Sequence, residues 1–282
     1  MSTSRIDVMK TYKLYINGAF PRSESGRVYE VKDAKGKFLA NPSLASRKDL
    51  RDAVTAARAA QSSWAGATAY LRGQILYRIA EVMEGRTDQF VSEIVAMEGA
   101  TPKAALAQVQ EAIDTWVWYA GWTDKLSALS GATNPVAGPF YNFTTPEAIG
   151  VVGIFADTKP SLLGLVNAVA PVIASGNTAV VVASEKYPLS AITLSEVLAT
   201  SDLPAGVLNI LTGKASELAS WMASHMDVDA LDATGLSKKE LTEAQKLGAD
   251  NLKRIHTFSS ARSPQRILAF MEAKTVWHPI GI

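Results

Sequence analysis

The chain has 282 residues, 48% of them hydrophobic and 20% charged, which is the composition of a globular protein with one large or two modest domains. Its 28 basic and 27 acidic side chains leave a net charge of +1, so it carries no electrostatic footprint for nucleic acid or an anionic membrane. The absence of cysteine excludes disulfides, thiolate metal sites and thiol catalysis together.

Residues 1–17 mix charged, polar and apolar side chains and do not read as a secretory signal. The most apolar stretch, 166–183, is broken by Pro171, Ser175, Gly176 and Asn177, so no membrane span is expected and the cytoplasm is the expected location. Residues 12–20, YKLYINGAF, partly alternate around Asn17-Gly18 and predict an N-terminal β-hairpin that continues through 28–31. Helical spacing of apolar residues then predicts helices over 47–64, 70–84, 87–97 and 103–126. The last carries Val109, Ile113, Trp116, Val117 and Ala120 as a core stripe. Residues 130–139, rich in Gly, Pro and small side chains, read as a connector, followed by a short aromatic strand over 140–143.

From 149 onward strand and helix alternate. Strands are expected over 149–155, 178–182, 207–211 and 228–231, with helices over 162–175, 189–199, 216–224 and 238–247. Such a βαβ series implies an α/β fold with a parallel sheet and helices on both faces. The tail, AKTVWHPIGI, predicts a strand in its first half, and Pro279 argues for an edge position.

Several blocks in register resemble the aldehyde dehydrogenase superfamily: YINGAF, DLRDAVTAARAAQSSWA, GVVGIFADTKPSLLGLVNAVAPVIASGNTAVVVASEKYPLSA, SDLPAGVLNILTG and ASHMDVDALDATG. Together with NLKR and KTVWHP they look like the second, non-catalytic unit of the family-sixteen type of two-unit aldehyde dehydrogenases. The resemblance implies an NAD-binding-like domain of Rossmann type over 1–137 and 149–260, and an oligomerisation β arm over 138–148 and 261–282. Beyond about residue 245 the family's catalytic lobe, with its Glu-Leu-Gly-Gly strand and its cysteine motif, has no counterpart.

The same resemblance supplies candidate cofactor contacts. Thr158, in Ala156-Asp157-Thr158-Lys159-Pro160, stands where the family has an asparagine that polarises the substrate carbonyl. Val182 replaces the lysine of Lys-Pro-Ser-Glu, while Ser184 and the ribose-binding acid Glu185 remain. Thr234 and Gly235 keep the family's Phe-Thr-Gly-Ser turn, with Leu236 in place of its serine, and Gly213 follows LNILT. Bound cofactor is therefore expected to be absent, or NAD(P) held weakly.

No catalytic or metal residue is expected. The family's chemistry needs a thiolate that this chain lacks, and a serine is a far weaker nucleophile without a base. His225, His256 and His278 lack ligand spacing, and Asp227, Asp229 and Asp232 read as loop caps and solvated charges. The implied function is a non-catalytic subunit, working as a homodimer or with a catalytic aldehyde dehydrogenase through the arm and the helix at 189–199. Alternatives are a dinucleotide-binding regulator, or a residual NAD-dependent aldehyde oxidoreductase that uses another nucleophile.

Overall fold

A computed structural model describes residues 8–259 and 261–281. Five parallel strands form the central sheet: β5 (Val151–Phe155), β6 (Thr178–Val182), β7 (Leu208–Leu211), β8 (Ala230–Asp232) and β9 (Arg254–His256). Their order is β7-β6-β5-β8-β9, so the chain winds outward from β5 in one direction and returns to the other side of it at β8. Each crossover is a helix, as parallel neighbours require. These are α6 (Ser161–Ala174), α7 (Leu189–Leu198), α8 (Ala215–Ser224) and α9 (Lys238–Leu247).

The side-chain period of the strands sorts the core into two layers. In β6, Ala179 and Val181 enter one cluster with α6, and Val180 and Val182 enter the other with α8. The first layer is completed by α2 (Ala69–Glu84), α3 (Thr87–Glu98) and α4 (Pro102–Ala120), and the second by α1 (Arg47–Gly66). Ser46 starts α1 through a capping box with Asp49, and Trp64 at its other end donates to the Ile173 carbonyl at 3.0 Å.

A second, antiparallel sheet has the order β10-β4-β3, from β3 (Ala132–Asn134), β4 (Phe140–Ala148) and β10 (Met271–Pro279). The strand at 140–143 is thus nine residues long and runs through Pro146. That proline is tolerated because β3 covers only Asn142 to Thr144, leaving β4 without a neighbour on that side at Pro146. Pro279 ends β10, an edge strand as expected.

Four expectations are corrected. The Asn17-Gly18 turn forms, with both residues at positive φ and Ile16 and Ala19 exchanging hydrogen bonds, but it is not followed by a long hairpin. Tyr15 instead bridges to Ile210 on β7, and the small antiparallel pair is β1 (Val31–Lys32) with β2 (Phe38–Ala40). The helix expected over 103–126 stops at Ala120, where Gly121 caps it, and a separate α5 (Leu126–Ser130) follows. The helix at 189–199 is α7, with nine of its ten residues buried inside the chain, so it offers no face to a partner. Of its four polar residues, Ser190, Thr193 and Ser195 are buried with the apolar ones and only Glu196 is not, the mark of a core helix. Finally, β9 and α10 (Pro264–Leu268) were not foreseen; Ile267 and Phe270 are fully buried against the first layer.

No helix of the described residues is long and apolar enough to cross a membrane.

Candidate functional site

In doubly wound sheets ligands sit outside the carboxyl ends of the strands, where the strand order reverses. Here that place is the edge around β5, flanked by β6 on one side and β8 on the other.

On the β6 side a cavity of about 230 Å³ opens among the ends of β5 and β6 and the first turns of α8 and α9. Thr158, Ser184, Glu185 and Gly235 all line it, so four of the six residues singled out from the sequence come together. Glu185 is exposed, immediately beyond β6. Ser184 is buried and already engaged: its hydroxyl donates to the Thr158 carbonyl at 3.0 Å and accepts from the Tyr187 amide at 3.1 Å. It therefore fixes the two loops against each other. Burial, and then the nearby charge of Glu185, push the Tyr29 phenol well above its ordinary range.

Gly235 is required by space. Its amide donates to the Phe155 carbonyl at 2.9 Å, and a Cβ there would overlap the Ala156 carbonyl. The turn after β8 is thereby pressed against the end of β5.

The other two residues lie elsewhere. Gly213, at φ 158°, packs on Leu44 and Ala45, where a Cβ would stand 3.3 Å from the Ala45 nitrogen. Thr234 turns to the β8 side because its hydroxyl is held by Asp232 Oδ1 and accepts from the Phe258 amide at 3.0 Å.

That β8 side is closed. Asp232 is not a solvated loop cap: its side chain is 1% exposed and faces Arg266, itself 4% exposed, at 3.3 Å. Arg266 comes from α10, donates to the Ser259 carbonyl at 2.8 Å and lies over the Phe258 ring. Burial pushes the Asp232 carboxyl up, and the Thr234 hydroxyl and Arg266 act against that shift. Burial likewise raises Asp157 against the pull of Arg266. The remaining cavity, lined by Asp157, Pro160, Gly164, Asn167, Ala168, Thr234 and Arg266, is about 10 Å³, the room of a single water. Thr257, Phe258 and Ser259, which follow β9, include no carboxylate.

Sequence reasoning missed Arg266. The signal was present in Ser263-Pro264, a helix start with a capping serine and proline in its first turn, which brings Arg266 inward. Asp227 is exposed, whereas Asp229 accepts from the Val151 amide at 2.7 Å and pairs with Arg58 at 2.7 Å. No group of residues able to hold a metal occurs among the described residues.

The fold implies a dinucleotide, which the lining matches in part. The ribose end fits, through Glu185. The pyrophosphate meets no Lys or Arg in the lining; the first turn of α8, at Ala215 and Ser216, has no side-chain cap, while that of α9 is filled by its own capping box. There Ser237 Oγ accepts from the Glu240 amide at 3.3 Å and the Glu240 carboxylate accepts from the Ser237 amide at 2.9 Å.

The family model described as "Aldehyde dehydrogenase family" matches residues 20–277. Retinal dehydrogenase 2 of Homo sapiens is 33% identical over 267 residues, covering 93% of this chain and 51% of that protein. The mitochondrial benzaldehyde dehydrogenase of Antirrhinum majus is 33% identical over 257 residues, covering 89% and 47%. The NAD+ complex of aldehyde dehydrogenase from Bacillus cereus matches with a TM-score of 0.82 at 26% identity, covering 88% of this chain and 50% of that one. The chain spans about half the length of these relatives. Family model, relatives and fold agree, and the chain belongs to the aldehyde dehydrogenase family.

Proposed function

We propose that this chain is a non-catalytic aldehyde dehydrogenase-like subunit that works in assembly, as a homodimer or with a catalytic aldehyde dehydrogenase. The observation that carries the reading is the Asp232–Arg266 pair. It fills the β8 side of the strand edge with the chain's own buried charges, in a sequence that has no cysteine to attack an aldehyde. The same observation argues against a residual oxidoreductase. The cofactor half of the reading is that NAD(P) is not held tightly, because the only charged side chains lining the cavity are the carboxylates of Glu185 and Glu240.

Assembly is supported by the arm. β10 is a nine-residue edge strand whose outer hydrogen-bonding groups face no other strand of the described residues. Phe140 on β4 and Trp277 on β10 form an exposed aromatic pair across the two strands, with ring centroids 5.7 Å apart. Edges of this length attract a further strand unless blunted by charge.

Light scattering of the purified chain, alone and mixed with a catalytic relative from the same cells, tests the reading. The expected result is a mass of two subunits or more, and Trp277→Lys is expected to lower it while the far-UV circular dichroism stays that of the folded chain. A strictly monomeric chain at micromolar concentration in both samples would overturn the assembly role.

A further inference from the structure

A second cavity, of about 410 Å³, lies where the antiparallel arm joins the first helical layer. Ala148 and Ser175, which precede β5 and β6, line it and put it at the amino ends of the sheet, opposite the strand-edge cavity. Its other walls come from α1, α2, α5 and the Met271 end of β10. Arg72 of α2 reaches into this lining although the residue is only 8% exposed.

A guanidinium taken out of water needs a carboxylate or a full set of acceptors. Arg72 has neither. Nε donates to the Ala174 carbonyl at 3.3 Å, and Nη1 donates to the Ala67 carbonyl at 2.6 Å and the Ala65 carbonyl at 3.4 Å. All three acceptors are neutral, and Nη2 donates to none of the described residues. Burial alone pulls the guanidinium below its ordinary range, with no carboxylate acting against it. The two carboxylates of the lining are already answered, Asp124 by Lys125 at 2.7 Å and Glu147 by Lys274 at 3.0 Å, and both are exposed. Arg72 is therefore the one charge of the lining left without an opposite partner among the described residues. Gln61 on α1 and Ser127 on α5 also line the cavity, and their side chains make no hydrogen bond to the described residues.

We propose that this cavity is a binding site for a hydroxylated organic monocarboxylate, its carboxylate on Arg72 Nη2 and its hydroxyls on Gln61 and Ser127. Guanidinium and carboxylate are matched in plane and charge. One unanswered positive charge balances a single negative one, and the carboxylates of Asp124 and Glu147 oppose the second charge of a phosphate. The volume falls within the roughly 300–1,000 Å³ of small-molecule sites, more than a bare ion fills and enough for a sugar acid. The site shares no residue with the strand-edge cavity, and it is read by binding, whereas the assembly role is read by mass, so the two fail separately.

Ligand-observed NMR titration of the full chain with D-gluconate, sorbitol and inorganic phosphate decides it. Gluconate and sorbitol share a carbon chain and its hydroxyls and differ in the charged head. Gluconate is expected to bind saturably at millimolar concentration or below, with sorbitol and phosphate weaker by about tenfold or more, the worth of a hydrogen bond to a charged group. Arg72→Met also strands the Ala65, Ala67 and Ala174 carbonyls and risks the fold, so Gln61→Glu carries the test. That variant keeps the shape of the side chain and places a carboxylate in the wall to compete for Arg72. It is expected to leave the far-UV circular dichroism unchanged and to weaken gluconate by about tenfold or more. Absence of gluconate binding overturns the proposal. So does sorbitol or phosphate bound as tightly as gluconate, and so does a folded Gln61→Glu chain that binds gluconate as well as the unaltered one.

Discussion

The two flanks of β5 differ in kind. On the β6 flank the loops leave an open cavity, with Glu185 exposed and Ser184 clamping the wall. On the β8 flank the equivalent space is filled by Asp232, Thr234 and Arg266, leaving room for one water. The difference teaches where each flank draws its stability. A ligand site must keep surface and polar groups unfilled, while a flank closed by its own side chains satisfies them from within. Here the C-terminal helix α10 supplies what fills it.

The largest expected effect comes from breaking the closed flank. Arg266→Met strands the Asp232 carboxylate among buried atoms and is expected to cost about 3–5 kcal/mol, read by denaturant unfolding. The double variant Asp232→Asn with Arg266→Met is expected to recover most of that loss, because no buried charge is left alone. If both variants lose equally, the pair is not what holds this flank.

Gly235 joins the two flanks, and a methyl group there is expected to cost about 1–3 kcal/mol by forcing the β8 turn off the Ala156 carbonyl. Stability unchanged in Gly235→Ala would show that the turn is not pressed on β5 as described. On the open flank the costs are smaller. Glu240→Ala is expected to lose about 1 kcal/mol with the capping box, and Glu240→Gln close to none.

An effect with a pH signature lies at the other end of the sheet, before β9. Lys253 is buried and donates to the His225 carbonyl and to Asn251 Oδ1, each at 2.7 Å. Burial lowers its ammonium from 10.5 to about 8, against the pull of Asp229 and Asp250. Between those two values the unfolded chain binds a proton that the folded chain has released, so stability rises with pH across the window. Unfolding of wild type and Lys253→Met at both limits tests this: the advantage of wild type is expected to be larger at the upper limit, and an advantage that shrinks would contradict it.

The open flank was legible in the sequence and the closed one was not. Strand ends, the positions of Ser184, Glu185 and Gly235, and the alternation from β5 to α9 all follow from local pattern and from motifs in register. Asp232 looked like a solvated acid because its partner is 34 positions further along, on a helix of only five residues. β9 escaped notice because three residues, two of them Arg254 and His256, carry too little apolar pattern to read as a strand. α7 was misread as a partner face because its buried surroundings come from α2, α3 and α6, and no local signal names them. Thr234 was placed by motif at the cofactor, and its hydrogen bonds with Asp232 and the Phe258 amide turn it away.

The proposed function requires that the chain on its own carry out no aldehyde chemistry. The most direct measurement is NADH formation by the purified chain with NAD+ and a series of short aliphatic and aromatic aldehydes. The account predicts no aldehyde-dependent absorbance change above the buffer rate. A signal that scales with protein concentration, and that disappears in Glu185→Ala, would contradict it and return the chain to the enzymes of its family.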